Sequence, residues 1–333
     1  MISLSELASA AIPFALPMRR TFRGLDVREG MLIKGPSGWG EFAPFDDYTP
    51  LMASRWLECA IESAYGQWPE PVREIVPVNA IIPEVSADDA AGLTREAIRS
   101  FGCTTIKIKV GGTLADDEAR VASVRDALDA VLGRGVGAIR VDANAMWSLE
   151  QAVKSLTRLS EYGLEYVEQP CQSADDLRAL RSRIDVRIAA DESIRRSDDP
   201  GAVRVGEFAD VAILKAPPLG GARAVLELAE GLDVPVVVSS ALDSATGLDA
   251  GVNAAAALPE LPFACGFGTG GLFVADVTTD PRVPVDGGLA AGRTPPDLPS
   301  LLAARDRIDP ERVDYWQARL AQAWQALSER TSR

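Results

Sequence analysis

The chain of 333 residues contains no histidine. That absence removes Ser-His-Asp and Cys-His nucleophile systems, histidine-ligated zinc and imidazole general bases. Proton transfer then falls to Lys, Asp, Glu, Tyr or Cys. Any metal has to be held mainly by oxygen, which favours Mg²⁺, with Mn²⁺ as the alternative. Cysteine is scarce as well. Cys59, Cys103, Cys171 and Cys265 form no C-x-x-C pair and read as reduced, buried small residues, neither a disulfide frame nor a zinc site. No apolar run approaches the ~18 residues needed to cross a bilayer. The first six residues lack the basic start and long apolar stretch of a secretory leader, so the expectation is a cytoplasmic protein without a membrane partner. Lys and Arg number 34 against 48 Asp and Glu, a net charge of −14, which argues against a general nucleic-acid binder.

What is present is a globular composition, 47% hydrophobic with a mean hydropathy near zero. The length suits an α/β barrel of ~250 residues with an added module. Short apolar windows at 78–82, 105–110, 138–142, 165–168, 187–191, 211–215, 234–239 and 263–266 are rich in Val and Ile, as expected of parallel strands covered by helices. Helix signals lie between them. Ser86 precedes Asp88 and Asp89, Ser148 and Gln151 have capping-box spacing, and Gly163 stands where a helix over 149–159 needs a terminal glycine. Val121, Val124, Leu128 and Leu132 fall at helical spacing. Eight such units predict a (β/α)8-type barrel over residues 76–274, with room for one modified unit. No G-x-G-x-x-G turn follows the first strand, which disfavours an open doubly wound sheet.

Residues 1–75 predict an α+β capping domain, completed by a C-terminal segment from about 275 to 333. Strands at 28–34 and 39–42 join through a turn at 35–38, followed by a helical stretch over 49–68. Val313, Trp316, Leu320, Trp324 and Leu327 make the tail an amphipathic helix that packs back on the cap. The Pro- and Gly-rich stretch 281–299 reads as surface connection.

Barrel active sites form at the C-terminal ends of strands, so polar residues that close apolar strands carry the chemical information. Asp142, Glu168 and Asp191 close the third, fourth and fifth strands, each about one strand–helix unit after the last. Three carboxylates at equivalent strand ends repel one another unless a hard dication joins them. The competing reading is that each acid caps the next helix or pairs with an arginine. On the second strand, Lys107 and Lys109 share one face, while Ile106, Ile108 and Val110 take the other, so both lysines point into the barrel. An exposed edge strand with outward lysines is the alternative, and the flanking isoleucines speak against it. Lys215 closes the sixth strand, in register with the acids and on the opposite side from Lys109. A desolvated lysine beside a dication has its pKa drawn towards neutrality and can serve as a base.

The ordered set Lys107, Lys109, Asp142, Glu168, Asp191 and Lys215 resembles the enolase superfamily, in particular its muconate-lactonizing subgroup. The resemblance spans nearly the whole chain and implies a barrel with an α+β cap, a divalent metal on the three acids and abstraction of a proton next to a carboxylate. Several segments narrow it to a dehydratase branch: Gly38 to Phe45, Asp142-Ala143-Asn144, Tyr166 to Cys171, Leu214-Lys215 and Ser239 to Ser244. The last strand, Cys265-Gly266-Phe267-Gly268-Thr269, lacks the Asp-x-Asp with which dipeptide epimerases hold an ammonium. By resemblance, Lys109 removes the α-proton of a small carboxylate substrate and then assists departure of a hydroxyl on the same face. Lys107 helps keep Lys109 neutral, and Lys215 stabilises the enediolate from the other side. Residues 19–24 are expected to close over the site as a flexible segment, with 42–48 as a second wall. Arg20 or Arg23 would bind a second substrate carboxylate, and Asn144, Ser239 and Gly266 would complete the contacts. Sibling reactions stay open, namely racemisation of acylated amino acids or cycloisomerisation of a muconate. A catalytically silent barrel would show a broken set, and here the set is intact.

Overall fold

The computed structural model describes residues 2–22 and 24–331. The chain begins with helix α1 (Leu4–Ala10), opened by a reciprocal capping box between Ser3 and Glu6. Strands β1 (Ala11–Phe22), β2 (Leu25–Gly35) and β3 (Gly38–Phe42) then form an antiparallel sheet in that order. Helix α2 (Pro50–Tyr65), capped by Thr49 with Pro50 in its first turn, packs across this sheet.

The expected strands at 28–34 and 39–42 and the helix over 49–68 correspond to β2, β3 and α2. Strand β1 was not expected. Pro13 and Pro17 argue against a strand, but β1 lies at the sheet edge, where a missing N–H is tolerated, and its register slips between Pro17 and Phe22. Residues 19–22, expected in a flexible flap, form the end of β1, where Phe22 pairs with Leu25 beyond the register shift. Arg23 lies outside the described residues.

The central unit runs β4 (Ile75–Ile82), α3 (Ala87–Phe101), β5 (Thr105–Lys109), α4 (Leu114–Leu132), β6 (Ala138–Asp142), α5 (Leu149–Leu159), β7 (Leu164–Glu168) and α6 (Ala174–Arg181). It continues with β8 (Ile188–Ala190), α7 (Glu192–Arg195), β9 (Val211–Leu214), α8 (Ala216–Leu219), α9 (Ala222–Glu230), β10 (Val236–Val238), α10 (Leu248–Ala257) and β11 (Cys265–Gly268). These eight strands are parallel, in the order β10-β9-β8-β7-β6-β5-β4-β11. A parallel bridge between Ser239 and Gly266 joins the two outer strands and closes the barrel.

Two units depart from the ideal. After β8 there is only the four-residue α7 and two short 3₁₀ turns. After β11 no helix returns to the barrel. The chain instead forms β12 (Gly288–Ala290), antiparallel to β4, then α11 (Leu298–Arg305) and α12 (Pro310–Thr331), which pack on the cap. The stretch 281–299, read as plain connection, thus holds β12 and the start of α11. Three residues are too few to show a strand period.

The helix signals act as expected. Ser86 accepts from the Asp89 amide, Ser148 and Gln151 form a capping box, and Gly163 sits in the left-handed region after a 3₁₀ extension of α5. Alternation along the strands sorts the core. Ile106, Ile108, Val141 and Val167 face the surrounding helices, and each such burial contributes about 1.5–3 kcal/mol. Tyr166, Ala189, Val211, Ile213 and Val237 fill the lower barrel interior. A third core, with Leu7, Phe42, Trp56, Trp316 and Leu320, unites α1, the small sheet, α2 and α12.

Candidate active site

Strand register brings the polar residues to one level. Lys109 pairs with Asp142 across β5 and β6, and Asp142 with Glu168 across β6 and β7. Glu168 stands beside Ala189 of β8, two residues before Asp191. The Lys107 ammonium donates to both Glu168 oxygens, at 3.1 and 2.9 Å, and stands 3.5 Å from Asp142 Oδ2. Lys109 donates to Asp142 Oδ2 at 2.5 Å and to Asn144 Oδ1 at 2.6 Å. Lys215 donates to Asp191 Oδ2 at 2.7 Å, at the far end of the row. The three carboxylates are no more than 1% exposed.

Buried charges need partners, and here they have them. Burial raises the Asp142 carboxyl, but Lys109 and Lys107 outweigh it and hold the group below its ordinary range. Glu168 is raised, first by burial and then by the charge of Asp142. For Lys107, burial works against the charged form, yet Glu168 and Asp142 together push its pKa up. Lys107 is thus a fixed cation, while Lys109, still partly open to solvent, lies 5.4 Å from the Phe22 ring at the end of β1. Among the described residues no three acidic side chains are already arranged as a metal cage. Their oxygens hold ammonium groups instead. The donor set nevertheless suits a hard dication, since it is oxygen only, fully buried and carried at the ends of adjacent strands.

The backbone after these ligands is unusual. Asn144, Ala145 and Gln169 all have positive φ, at 45°, 63° and 37°. Non-glycine residues in that region cost of order 1 kcal/mol or more and cluster where geometry serves a site. Gln169 then uses its side chain to hold the start of α7. Its Oε1 accepts from the Asp191 and Ser193 amides, at 2.9 and 3.2 Å, and its Nε2 donates to Ser193 Oγ and the Cys171 carbonyl.

Residues 89–299 match the family model "Enolase C-terminal domain-like", and residues 14–64 match "Enolase N-terminal domain-like". The chain is 50% identical over 313 residues to an o-succinylbenzoate synthase of Thermobifida fusca, covering 93% of this chain and 94% of that one. It is 49% identical over 330 residues to the o-succinylbenzoate synthase of Mycobacterium leprae, covering 98% and 94%. The chain belongs to the o-succinylbenzoate synthase family of the enolase superfamily. Solved structures agree on the fold. The muconate lactonizing enzyme of Pseudomonas putida superposes with a TM-score of 0.70 at 20% identity, covering 88% of this chain and 98% of that one. The N-succinyl Arg/Lys racemase of Bacillus cereus gives 0.72 at 19% identity, covering 88% and 96%. Enolase-superfamily enzymes use a divalent metal.

Within this family frame, the structure brings Lys107, Lys109, Asp142, Asn144, Glu168, Asp191 and Lys215 together. Asn144 is engaged on both sides, accepting from Lys109 and donating to Glu192 Oε1 at 3.2 Å. Ser239 and Gly266 also meet, but mainly each other. Ser239 Oγ donates to the Gly266 carbonyl at 3.2 Å, and a Cβ on Gly266 would lie 2.2 Å from that oxygen, so the glycine is required by the close approach.

Arg20 is half-exposed and pairs with Asp89 of α3 at 3.4 Å. It borders a cleft of about 900 Å³ between α3 and the segment after β11, which none of the row's lysines or carboxylates lines. Phe42 is likewise no wall of the site; it is buried in the cap core against Trp316. Tyr48, at the end of the same segment, does reach the site's edge.

Arg195, Glu192 and Gln169 went unrecognised in the sequence. Arg195 Nε donates to Asp191 Oδ1 at 2.9 Å, and its spacing of four from Asp191 was the available signal.

Proposed function

We infer that the chain is an o-succinylbenzoate synthase, a hydro-lyase that converts 2-succinyl-6-hydroxy-2,4-cyclohexadiene-1-carboxylate to 2-succinylbenzoate and water in menaquinone biosynthesis. The observation that carries the reading beyond identity is the acid row with Lys109 at one end and Lys215 at the other.

Asp142, Glu168 and Asp191 are the residues that would hold the metal, with Mg²⁺ favoured by the all-oxygen donor set and Mn²⁺ its natural substitute. When bound, the dication supplies positive charge to the substrate carboxylate as the α-carbon becomes acidic. Lys109 Nζ takes the α-proton, and the electron pair passes into the carboxylate as an enediolate. The ring then expels the hydroxyl from the same face, and Lys109 returns its proton to that oxygen, so that water leaves and the ring becomes aromatic. Lys107, held charged between Glu168 and Asp142, keeps a positive neighbour beside Lys109 and favours its neutral form. Lys215 faces the enediolate from the opposite side. Asn144 positions Lys109 Nζ. Ser239, Gly266, Arg20 and Arg23 remain the proposed contacts for the succinyl arm. For Arg20 that role requires release from Asp89.

The division into a cap (1–75 with about 275–333) and a barrel (76–274) goes with this reading. It is supported by the shared core of α1, α2 and α12.

Two lysines flanking the row also suit a two-base racemase, so that reading is the one to test against. Purified protein with Mg²⁺ should turn over the cyclohexadiene substrate. Turnover of N-acylamino acids alone would overturn the assignment.

A further inference from the structure

The short α7 that replaces a full fifth barrel helix ends at Arg195 and is followed by Arg196, and both arginines reach the cap. Arg195 is buried and uses every arm of its guanidinium. Its Nε donates to Asp191 Oδ1 at 2.9 Å, one terminal nitrogen to Glu192 Oε1 at 2.6 Å, and the other to the Tyr48 hydroxyl. Arg196 pairs with Asp47 and stands 5.3 Å from the centre of the Tyr48 ring. Tyr48 packs against Trp56 of α2, with ring centres 5.9 Å apart, and its carbonyl accepts from Arg319 of α12 at 3.0 Å. One side chain therefore separates a cap residue from the Asp191 carboxylate.

The two oxygens of Asp191 have different occupants, Arg195 on Oδ1 and Lys215 on Oδ2. With Oδ1 taken, the carboxylate cannot rotate freely, and Oδ2 is the oxygen left to Lys215 or to a cation that displaces it. A guanidinium is a planar, rigid fork whose arms cannot move independently. Displacement of Tyr48 must either break its bond to Arg195 or tilt the fork, and the tilt is felt at Oδ1. The same fork holds Glu192, which accepts from Asn144, so the disturbance also reaches the partner of Lys109.

We propose that Arg195 is a positioning residue that couples seating of the cap loop 45–48 to the orientation of the Asp191 carboxylate. Cation binding at the acid row and docking of that loop then strengthen each other, as linkage requires. The proposal rests on Asp191 as a metal ligand.

The test uses the full chain, titrated with Mn²⁺ alone by calorimetry, with hydrogen exchange followed at the amides of residues 45–48. Tyr48→Phe removes only the accepting hydroxyl and keeps the ring in place. It should weaken Mn²⁺ binding by about fivefold or more and abolish the Mn²⁺-induced protection of the loop, with the melting temperature almost unchanged. Arg195→Lys keeps the charge but loses the fork; it should act in the same direction and more strongly, and it stands in if Tyr48→Phe does not fold. Asp191→Asn, in the same titration, separates the two assignments. Unchanged Mn²⁺ binding in Asp191→Asn would overturn the metal assignment and the coupling with it. Loss of binding in Asp191→Asn, with Tyr48→Phe and Arg195→Lys both within about twofold of the parent, would overturn the coupling alone.

Discussion

Tyr166 and Glu168 lie two residues apart on β7, point into the same barrel, and belong to different worlds. Around Tyr166 the interior is closed by Ala189, Val211, Ile213 and Val237. Arg140, buried in this layer, is neutralised by Glu165 at 2.6 Å, tied to Asn79 and the Ala264 carbonyl, and laid over the Tyr166 ring at 4.6 Å. Around Glu168 the interior is ionic, with lysines set between carboxylates. Lys107 and Arg140 are neighbours in register, one strand apart, yet Lys107 serves the upper layer and Arg140 the lower. The same strands therefore carry a floor that holds the barrel shut and a ceiling to which we assign the chemistry. What separates them is the level along the strand at which each charge finds its partner.

Four perturbations act on these layers and on the cap above them, with effects of decreasing size. Chelation with EDTA should abolish turnover, and Mg²⁺ should restore it; a chelator-insensitive rate would contradict the carboxylate assignment. Lys109→Ala should lower kcat by about 10³-fold or more while circular dichroism and Mn²⁺ binding persist. Surviving activity would remove Lys109 from its role.

In the floor the expectation reverses. Arg140→Met should cost about 2–4 kcal/mol in denaturant unfolding, because it strands Glu165 and Asn79. Its kcat, measured well below the new melting temperature, should stay within about threefold of the parent. A large kcat defect in that variant would mean that the two layers are not separable.

The smallest effect belongs to the seam between cap and barrel. Glu41 of β3 is buried against Ser244, and burial first, then the charge of Asp243, pushes its carboxyl up to about 8 against the pull of Arg28. A carboxyl that holds its proton more tightly folded than unfolded makes stability fall as pH rises from about 4.5 towards 8. Glu41→Gln should flatten that decline, raising the melting temperature near pH 8 by a few °C and leaving it unchanged near pH 5. An unaltered pH slope would assign the titration to Asp243 instead.

Much of the fold was legible because it is periodic. Alternation in Thr105 to Lys109 sends the isoleucines to the helices and both lysines inward whatever the rest of the chain does. The strand-end acids follow from the same rule. Strand β1 was hidden because its prolines are permitted only by its edge position, which no local window reveals. The shortening of the helix after β8 and its absence after β11 could not be placed from the sequence, which allowed one modified unit without locating it, since a missing element leaves no pattern to read.

Composition and spacing alone determined that this protein has no imidazole chemistry, that its acids stand at successive strand ends, and that two inward lysines accompany them. Period and register are local properties, carried by residues a few positions apart. The pairing of each lysine with its carboxylate, the turn of Arg20 to Asp89, the contact of Ser239 with Gly266 and the link that Arg195 makes from Asp191 to Tyr48 arise from folding of the whole chain. Those pairings link residues far apart in the chain, and their partners are selected by barrel closure and by the seating of the cap.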